Sequence, residues 1–363
     1  STQTCSFWLE KRSHSSYSAQ KIVNCQVFRH NFWMIVVFFR NISCFKINQL
    51  FKYKTPMNCI YQKTISTPIS LSGVGLHSGK ISKVNILPGN ENSGIVFKRV
   101  DLLNNNLINA NYKNVSSTTL STTLQNKNGV KVSTVEHLLA ALYIAGVDSA
   151  IIEVDNEEIP IMDGSAKNFL EILKKTKLKQ LNKKIKYLKI LEKVELKDGN
   201  RKIQISPNDS FEVDFELKYH NKIIGNQRNL INFDSGSLQE IEEARTFCLY
   251  EDIQKIKKMG LAKGGSLENA IVVDENKVIN EGGLRNDKEF VNHKILDLAG
   301  DFLLSGFRIL GSVYCYQGGH QLSNLFLHKL LKSKSKFETF KLNERIDKET
   351  TNRNLHFKLA ANA

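Results

Sequence analysis

The stretch Glu289–Gly306, EFVNHKILDLAGDFLLSG, sets the hardest condition that any fold of this 363-residue chain has to meet. Its pattern is helical, and His293, Asp297 and Asp301 fall at i, i+4 and i+8, stacked along one face. Val291, Ile295, Leu296, Leu298, Phe302 and Leu303 cover the remaining sides and must face a core. Such a helix should prefer Leu or Ala along the stripe, yet it carries an imidazole and two carboxylates. One turn apart, neutral imidazole and carboxylate are good ligands for zinc, which in catalytic sites takes three protein groups and one water. The alternative is a half-exposed helix with a solvated polar stripe, because polar i,i+4 pairs are common on helix surfaces.

A second stretch bears on that choice. Ser133–Gly146, STVEHLLAALYIAG, reads as a short helix with Ser133 or Thr134 as its N-cap and Gly146 as its stop. Glu136 and His137 stand side by side before an apolar run, and a buried chargeable pair needs a partner. A Glu next to a zinc-binding His serves as general base in metalloproteases. In that reading Glu136 is the base and His137 the third ligand. The competing reading has Glu136 only complementing the helix dipole.

The rest of the chain tells how two such helices meet. From Met57 onward, strand-like alternation covers Thr64–Leu71 and Lys80–Leu87, joined by the glycine-rich turn Ser72–Gly79. That turn lacks P-loop spacing and precedes a strand; it brings Leu76 and His77 towards a site. Further strands read at Ile95–Val100, Lys131–Val132 and Ala150–Val154, and a helix at Ala166–Lys175 with Asp163 or Ser165 as its cap. The charged run Lys177–Lys186 reads as a linker. Beyond it the order repeats: strands at Tyr187–Leu196, Arg201–Ile205, Phe211–Tyr219 and Gln227–Ile231, a helix near Ser237–Arg245, the Glu289 helix, a strand at Ile309–Tyr316 and a helix at Gln321–Leu331. The expectation is an α+β protein made of a duplicated two-layer α/β sandwich, residues 57–180 and 181–335, with the site in the cleft between them. Cys248–Asn280 reads as an inserted βαβ piece, and residues 336–363 as a polar tail.

Charge and cysteine usage narrow the classes. The net charge is +15, but residues 1–56 hold eight Lys and Arg against the single acid Glu10. No Arg–aromatic stripe suggests nucleic-acid binding; the basic surface suits an anionic, phosphate-bearing substrate or an anionic membrane face. Of the six cysteines only Cys248 and Cys315 lie in the body, and no CxxC pair occurs, which points to a reducing compartment and no cysteine metal site. Residues 1–56 stand outside the fold reasoning. Their apolar run Phe32–Phe39 is far short of the roughly 20 residues a membrane span needs. They read either as an organellar transit segment or as translated upstream sequence before a start at Met57.

Late in the chain, Gly318-Gly319-His320 follows a strand and places a histidine on an exposed turn. Beside a metal site, His320 is a candidate general acid for a leaving amine, with Asp301 to hold it charged and oriented. Alone it would be a surface histidine. Thr246, in Arg245-Thr246-Phe247, offers a hydroxyl to an oxyanion, or simply ends a helix.

In this order, STVEHLLAAL, EIPIMDGSA, ARTF, GGS followed by AIVV, GLR, EFVNHKILDLAGD and GGH resemble the zinc-dependent UDP-3-O-acyl-N-acetylglucosamine deacetylases of lipid A biosynthesis. The resemblance runs from about Thr64 to Leu331. It implies two βααβ-type domains with small inserts, the second forming an apolar passage for a fatty acyl chain. It implies Zn2+ on His137, His293 and Asp297, with Glu136 as base, His320 as acid and Asp301 as its orienting carboxylate. Thr246 matches the oxyanion threonine, and Lys294 and Phe247 match substrate contacts. The implied reaction is hydrolysis of the sugar's 2-acetamido group, the committed step of the pathway, by a monomer in the bacterial cytoplasm working at the inner membrane face. Two departures stand out. Gln317 replaces a basic residue that contacts phosphate in many relatives, and the segment Leu120–Leu124 lacks a cysteine that approaches the metal in some. The competing expectations are a zinc hydrolase for another N-acetylated substrate and a catalytically silent scaffold. Retention of both Glu136 and His320 speaks against the scaffold.

Overall fold

The computed structural model describes residues 60–234 and 236–342. The expectations for residues 1–56 and for the tail beyond residue 342 lie outside the described residues. The chain forms an α+β fold. Strands β1 (Tyr61–Ile65), β2 (Ile69–Val74), β3 (Ile81–Pro88), β4 (Ile95–Arg99) and β5 (Leu107–Asn109) come first. In β3, Ser82, Val84 and Ile86 are buried while the alternating Ile81 and Lys83 are exposed, the period-two pattern of a sheet with one buried face. A small sheet of β6 (Val115–Ser117), β7 (Thr123–Gln125) and β8 (Lys131–Val132) leads into helix α1 (Glu136–Ala145). Strand β9 (Ala150–Val154) then slots between β3 and β4, giving the order β2-β3-β9-β4-β5, and α2 (Lys167–Lys175) follows.

The charged stretch after α2 is not a linker. Leu178–Lys184 forms β10, paired antiparallel with β1. Most of its side chains are exposed on both faces of this two-stranded ribbon, so no buried alternation marks it in the sequence.

The second sheet begins with β11 (Tyr187–Ile190), β12 (Val194–Asp198), β13 (Arg201–Ser206), β14 (Phe211–Lys218) and β15 (Asn226–Asn232). The helix expected near Ser237–Arg245 is only the single turn α3 (Gln239–Glu242). The chain leaves it because Ala244 and Arg245 bond elsewhere, as described below. Strand β16 (Phe247–Leu249), helix α4 (Ile253–Lys258) and strand β17 (Ile271–Val273) make a βαβ unit whose two strands are parallel. Helix α5 (Glu289–Leu303), strand β18 (Arg308–Tyr316), helix α6 (His320–Lys332) and strand β19 (Phe337–Phe340) complete the fold. Strand β18 is the spine of this sheet, pairing with β11, β13 and β14. Strand β19 falls in what reads as tail; it pairs with β11, and Phe340 stacks on Tyr187 with ring centroids 5.6 Å apart.

All ten residues of α1 are buried, and the helix packs against α2 and α5. Helix α5 in turn lies on β14, β15 and α6. The two helices that carry the candidate ligands therefore touch directly, and Gly300 lies against the backbone of α1. A Cβ there would stand 2.1 Å from the carbonyl oxygen of Glu136. Only glycine permits this approach.

Candidate metal centre

The stripe on α5 meets the first turn of α1. Gly146 ends α1 in the left-handed conformation, at φ 76°, as a C-terminal glycine should. Its start differs from the expectation: Val135 takes the cap position with no side-chain bond. Thr134 instead adopts φ 56° and donates its hydroxyl to Glu158, 3.0 Å away. The buried Glu158 carboxylate also accepts the backbone N–H groups of His77 and Ser78, at 2.8 and 2.7 Å. That clamp ties the glycine-rich loop to the entrance of α1 and sets Leu76 and His77 at the site's edge.

His137, His293 and Asp297 converge. One donor atom from each lies within 4.8 Å of the others, and all three residues are buried. Oδ1 of Asp297 is 3.4 Å from Nε2 of His137 and 3.3 Å from Nε2 of His293. This oxygen has no hydrogen-bond partner, although it is buried. Buried carboxylate oxygens are rarely left so. Nδ1 of His293 faces the carbonyl of Ala244 at 3.1 Å, so the proton sits there and Nε2 keeps its lone pair. Burial drives the His293 imidazole down to about 3, which keeps it neutral. For Asp297, burial works against ionisation, yet the neighbouring His293 ring and the Lys294 ammonium 3.0 Å away together hold the carboxyl well below its usual range. Two imidazoles, that of His293 neutral, and an ionised carboxylate, with an orphaned oxygen between them, fit a divalent cation of the zinc type.

Two further groups flank the trio. Burial raises the Glu136 carboxyl above the usual carboxylate range. Oε2 of Glu136 accepts the N–H of Thr122 at 3.0 Å, and Oε1 lies 3.7 Å from Nε2 of His320. Nδ1 of His320 is 2.9 Å from Oδ2 of Asp301. Burial alone would lower the His320 pKa, but the Asp301 and Glu136 carboxylates outweigh it and push it up to about 10. The sequence places His320 on an exposed turn; it is instead the first residue of α6, with its side chain largely buried.

Thr246, Phe247, Leu76 and His77 line a neighbouring cavity of about 310 Å³, walled by Cys248, Ile253, Ile256, Ala270 and Val272 from the βαβ unit. Phe247 lies edge-on to His293 at 6.3 Å, and Nζ of Lys294 sits 5.6 Å over the Phe247 ring. The cavity therefore opens beside the ligand cluster. Gln317 does not reach into it. Its amide bonds the backbone of Lys218 at both ends, 3.0 and 2.6 Å, and caps the end of β14.

Sequence reasoning missed three participants. Thr122 touches both Glu136 and Asp301; Ala244 acts through a carbonyl, which no side-chain pattern reveals. The third is the ion pair of Arg245 with Glu289, at 2.8 Å and buried, which holds Ala244 against α5. The carboxylate at the head of the α5 motif was the only available signal for it.

An α+β fold that buries this donor set, with a carboxylic acid and a second imidazole beside it, has the make-up of a metalloenzyme. The sequence model of one family, described as UDP-3-O-acyl N-acetylglycosamine deacetylase, matches residues 62–332. The chain belongs to that family. It is 40% identical over 282 residues to the UDP-3-O-acyl-N-acetylglucosamine deacetylase of Pseudoalteromonas translucida, covering 77% of this chain and 93% of the relative. It is 39% identical over 272 residues to the enzyme of that name from Geotalea uraniireducens (75% and 88%), and 41% identical over 282 residues to that of Colwellia psychrerythraea (77% and 92%).

Proposed function

We propose that this chain, a UDP-3-O-acyl-N-acetylglucosamine deacetylase of lipid A biosynthesis, hydrolyses the 2-acetamido group with Glu136 and His320 as its proton-transfer pair and zinc as its metal. The products are acetate and the free 2-amino sugar. His137, His293 and Asp297 would hold the ion, which when bound supplies a Lewis acid for the acetyl carbonyl and makes water more acidic.

The protein groups carry the remaining work. Glu136 accepts a proton from the attacking water as the new C–O bond forms. Its burial suits it, because a raised pKa makes a carboxylate a better base near neutral pH. The hydroxyl of Thr246 donates to the oxygen on which negative charge develops. His320 gives the proton on Nε2 to the departing nitrogen as the C–N bond breaks, and Asp301 holds the ring for that transfer. Lys294 stays charged, since burial lowers its pKa but Asp297 raises it further, and with Phe247 it borders the sugar. The cavity lined by Leu76, His77 and the βαβ unit takes the acyl chain. With Tyr250, Met259 and Leu267 exposed near this cavity, the same unit would meet the face of a membrane as a monomeric enzyme in the cytoplasm. Among the described residues no helix is long and apolar enough to cross one.

What supports this reading above all is the convergence of His137 from α1 with His293 and Asp297 from α5 on one orphaned carboxylate oxygen, with Glu136, His320 and Asp301 linked beside them. Acetate release from the acylated UDP-sugar tests it. Chelation should abolish release and zinc should restore it, while Glu136→Ala should keep the metal and lose about 10²–10⁴ in turnover. Unchanged rates in Glu136→Ala would overturn the assignment.

A further inference from the structure

We infer that Thr122 is a positioning residue for this reaction, fixing the base and the acid's carboxylate in one frame. The inference rests on the roles given above to Glu136, Asp301 and His320. Thr122 is buried, and both of its polar hydrogens point at ionisable side chains. Its hydroxyl donates to Oδ1 of Asp301 at 2.7 Å, and its backbone N–H donates to Oε2 of Glu136 at 3.0 Å. The other oxygen of Asp301 meets Nδ1 of His320 at 2.9 Å, and Nε2 of His320 returns to Oε1 of Glu136 at 3.7 Å. The four residues close a ring in which Thr122 alone is not ionisable.

The placement is specific. Asp301 belongs to α5, Glu136 to α1 and His320 to α6, and Thr122, which lies on none of these helices, hydrogen-bonds the carboxylates of the first two. Its carbonyl also accepts the N–H of Val135, which opens α1, at 3.4 Å. Two residues earlier Leu120 takes φ 60°, a costly conformation for a leucine, and the turn it makes delivers Thr122 to the site. A hydroxyl has one proton to give, and giving it to Oδ1 fixes the carboxylate plane that Oδ2 presents to His320. A threonine present only for packing would not spend both donors on the two catalytic carboxylates.

Thr122→Val keeps the shape and the N–H and removes only the hydroxyl. Loss of one hydrogen bond to a charged group should lower kcat about ten- to a hundredfold, with KM for the acylated UDP-sugar and zinc stoichiometry nearly unchanged. Thr122→Ser should recover most of the rate. In an Asp301→Asn background, Thr122→Val should cost less than about twofold more, because the hydroxyl acts through Asp301. Where the valine variant folds poorly, Thr122→Ala carries the same comparison. Full turnover in Thr122→Val, a serine variant as slow as the valine, or losses that multiply in the double variant would overturn the inference. A fast Asp301→Asn enzyme would instead refute the acid–base reading on which it rests.

Discussion

Replacing Gly300 by alanine probes how closely the two ligand-bearing helices must approach. In an ordinary helix interior the change would stabilise by about 1 kcal/mol. Here the new Cβ would sit 2.1 Å from the Glu136 carbonyl oxygen, 2.9 Å from its carbon and 3.2 Å from the Ala140 nitrogen. All three are backbone atoms, so no side chain can swing away. Contact is ordinary only from 3.4 Å, so α1 and α5 must separate by more than 1 Å. Overpacking of this kind costs about 1–3 kcal/mol, which cancels or exceeds the propensity gain. The functional cost is larger. His137 rides on α1 and His293 and Asp297 on α5, and a misplacement of about 1 Å can cost about a hundredfold in rate. Gly300→Ala should therefore show modest loss of stability by urea denaturation, weaker zinc retention against a chelator, and acetate release reduced about a hundredfold. A variant that holds zinc and turns over within about twofold of wild type would refute the claim that this contact sets the site.

Three other perturbations address separate parts of the account. Glu289 is wholly buried and accepts from Arg245 N, Nε and Nη2 and from Arg285 N, so Glu289→Ala should cost about 3–5 kcal/mol in urea unfolding; a loss below about 1 would contradict its structural role. Cys248→Trp places bulk in the 310 Å³ cavity and should slow the acylated substrate while leaving an unacylated UDP-sugar at its own rate; equal effects on both would remove the cavity from substrate binding. In the proposed mechanism His320 acts protonated, and burial opposes its charge while Asp301 most strongly restores it, up to about 10. Activity should thus fall as pH rises through that pKa, and Asp301→Asn should move the falling limb of the kcat profile towards acid; an unmoved limb contradicts the pairing.

What the sequence revealed and what it hid follow from the range of each interaction. The i, i+4, i+8 spacing of His293, Asp297 and Asp301 is local, and the structure brings all three to one buried face. The glycine stop at Gly146 is equally local. Thr122 was invisible because it matters through residues 14 and 179 positions away. Gly300 reads as an ordinary weak spot in a helix until α1 is laid across it. Strand β10 was misread because its partner is β1, more than a hundred residues earlier, and its Lys-rich faces are both solvated. The short α3 was overextended because its last expected turn is spent on the carbonyl of Ala244 and the guanidinium of Arg245, groups whose partners lie on α5.

The most direct test of the whole account is where a divalent ion binds. Crystals of the zinc-loaded protein, with anomalous scattering measured at the zinc edge, should show one ion about 2.0–2.2 Å from Nε2 of His137, Nε2 of His293 and a carboxylate oxygen of Asp297. The same crystals of His293→Ala should lose that peak. An ion bound elsewhere, or one retained undiminished after His293 is removed, would contradict the account at its foundation.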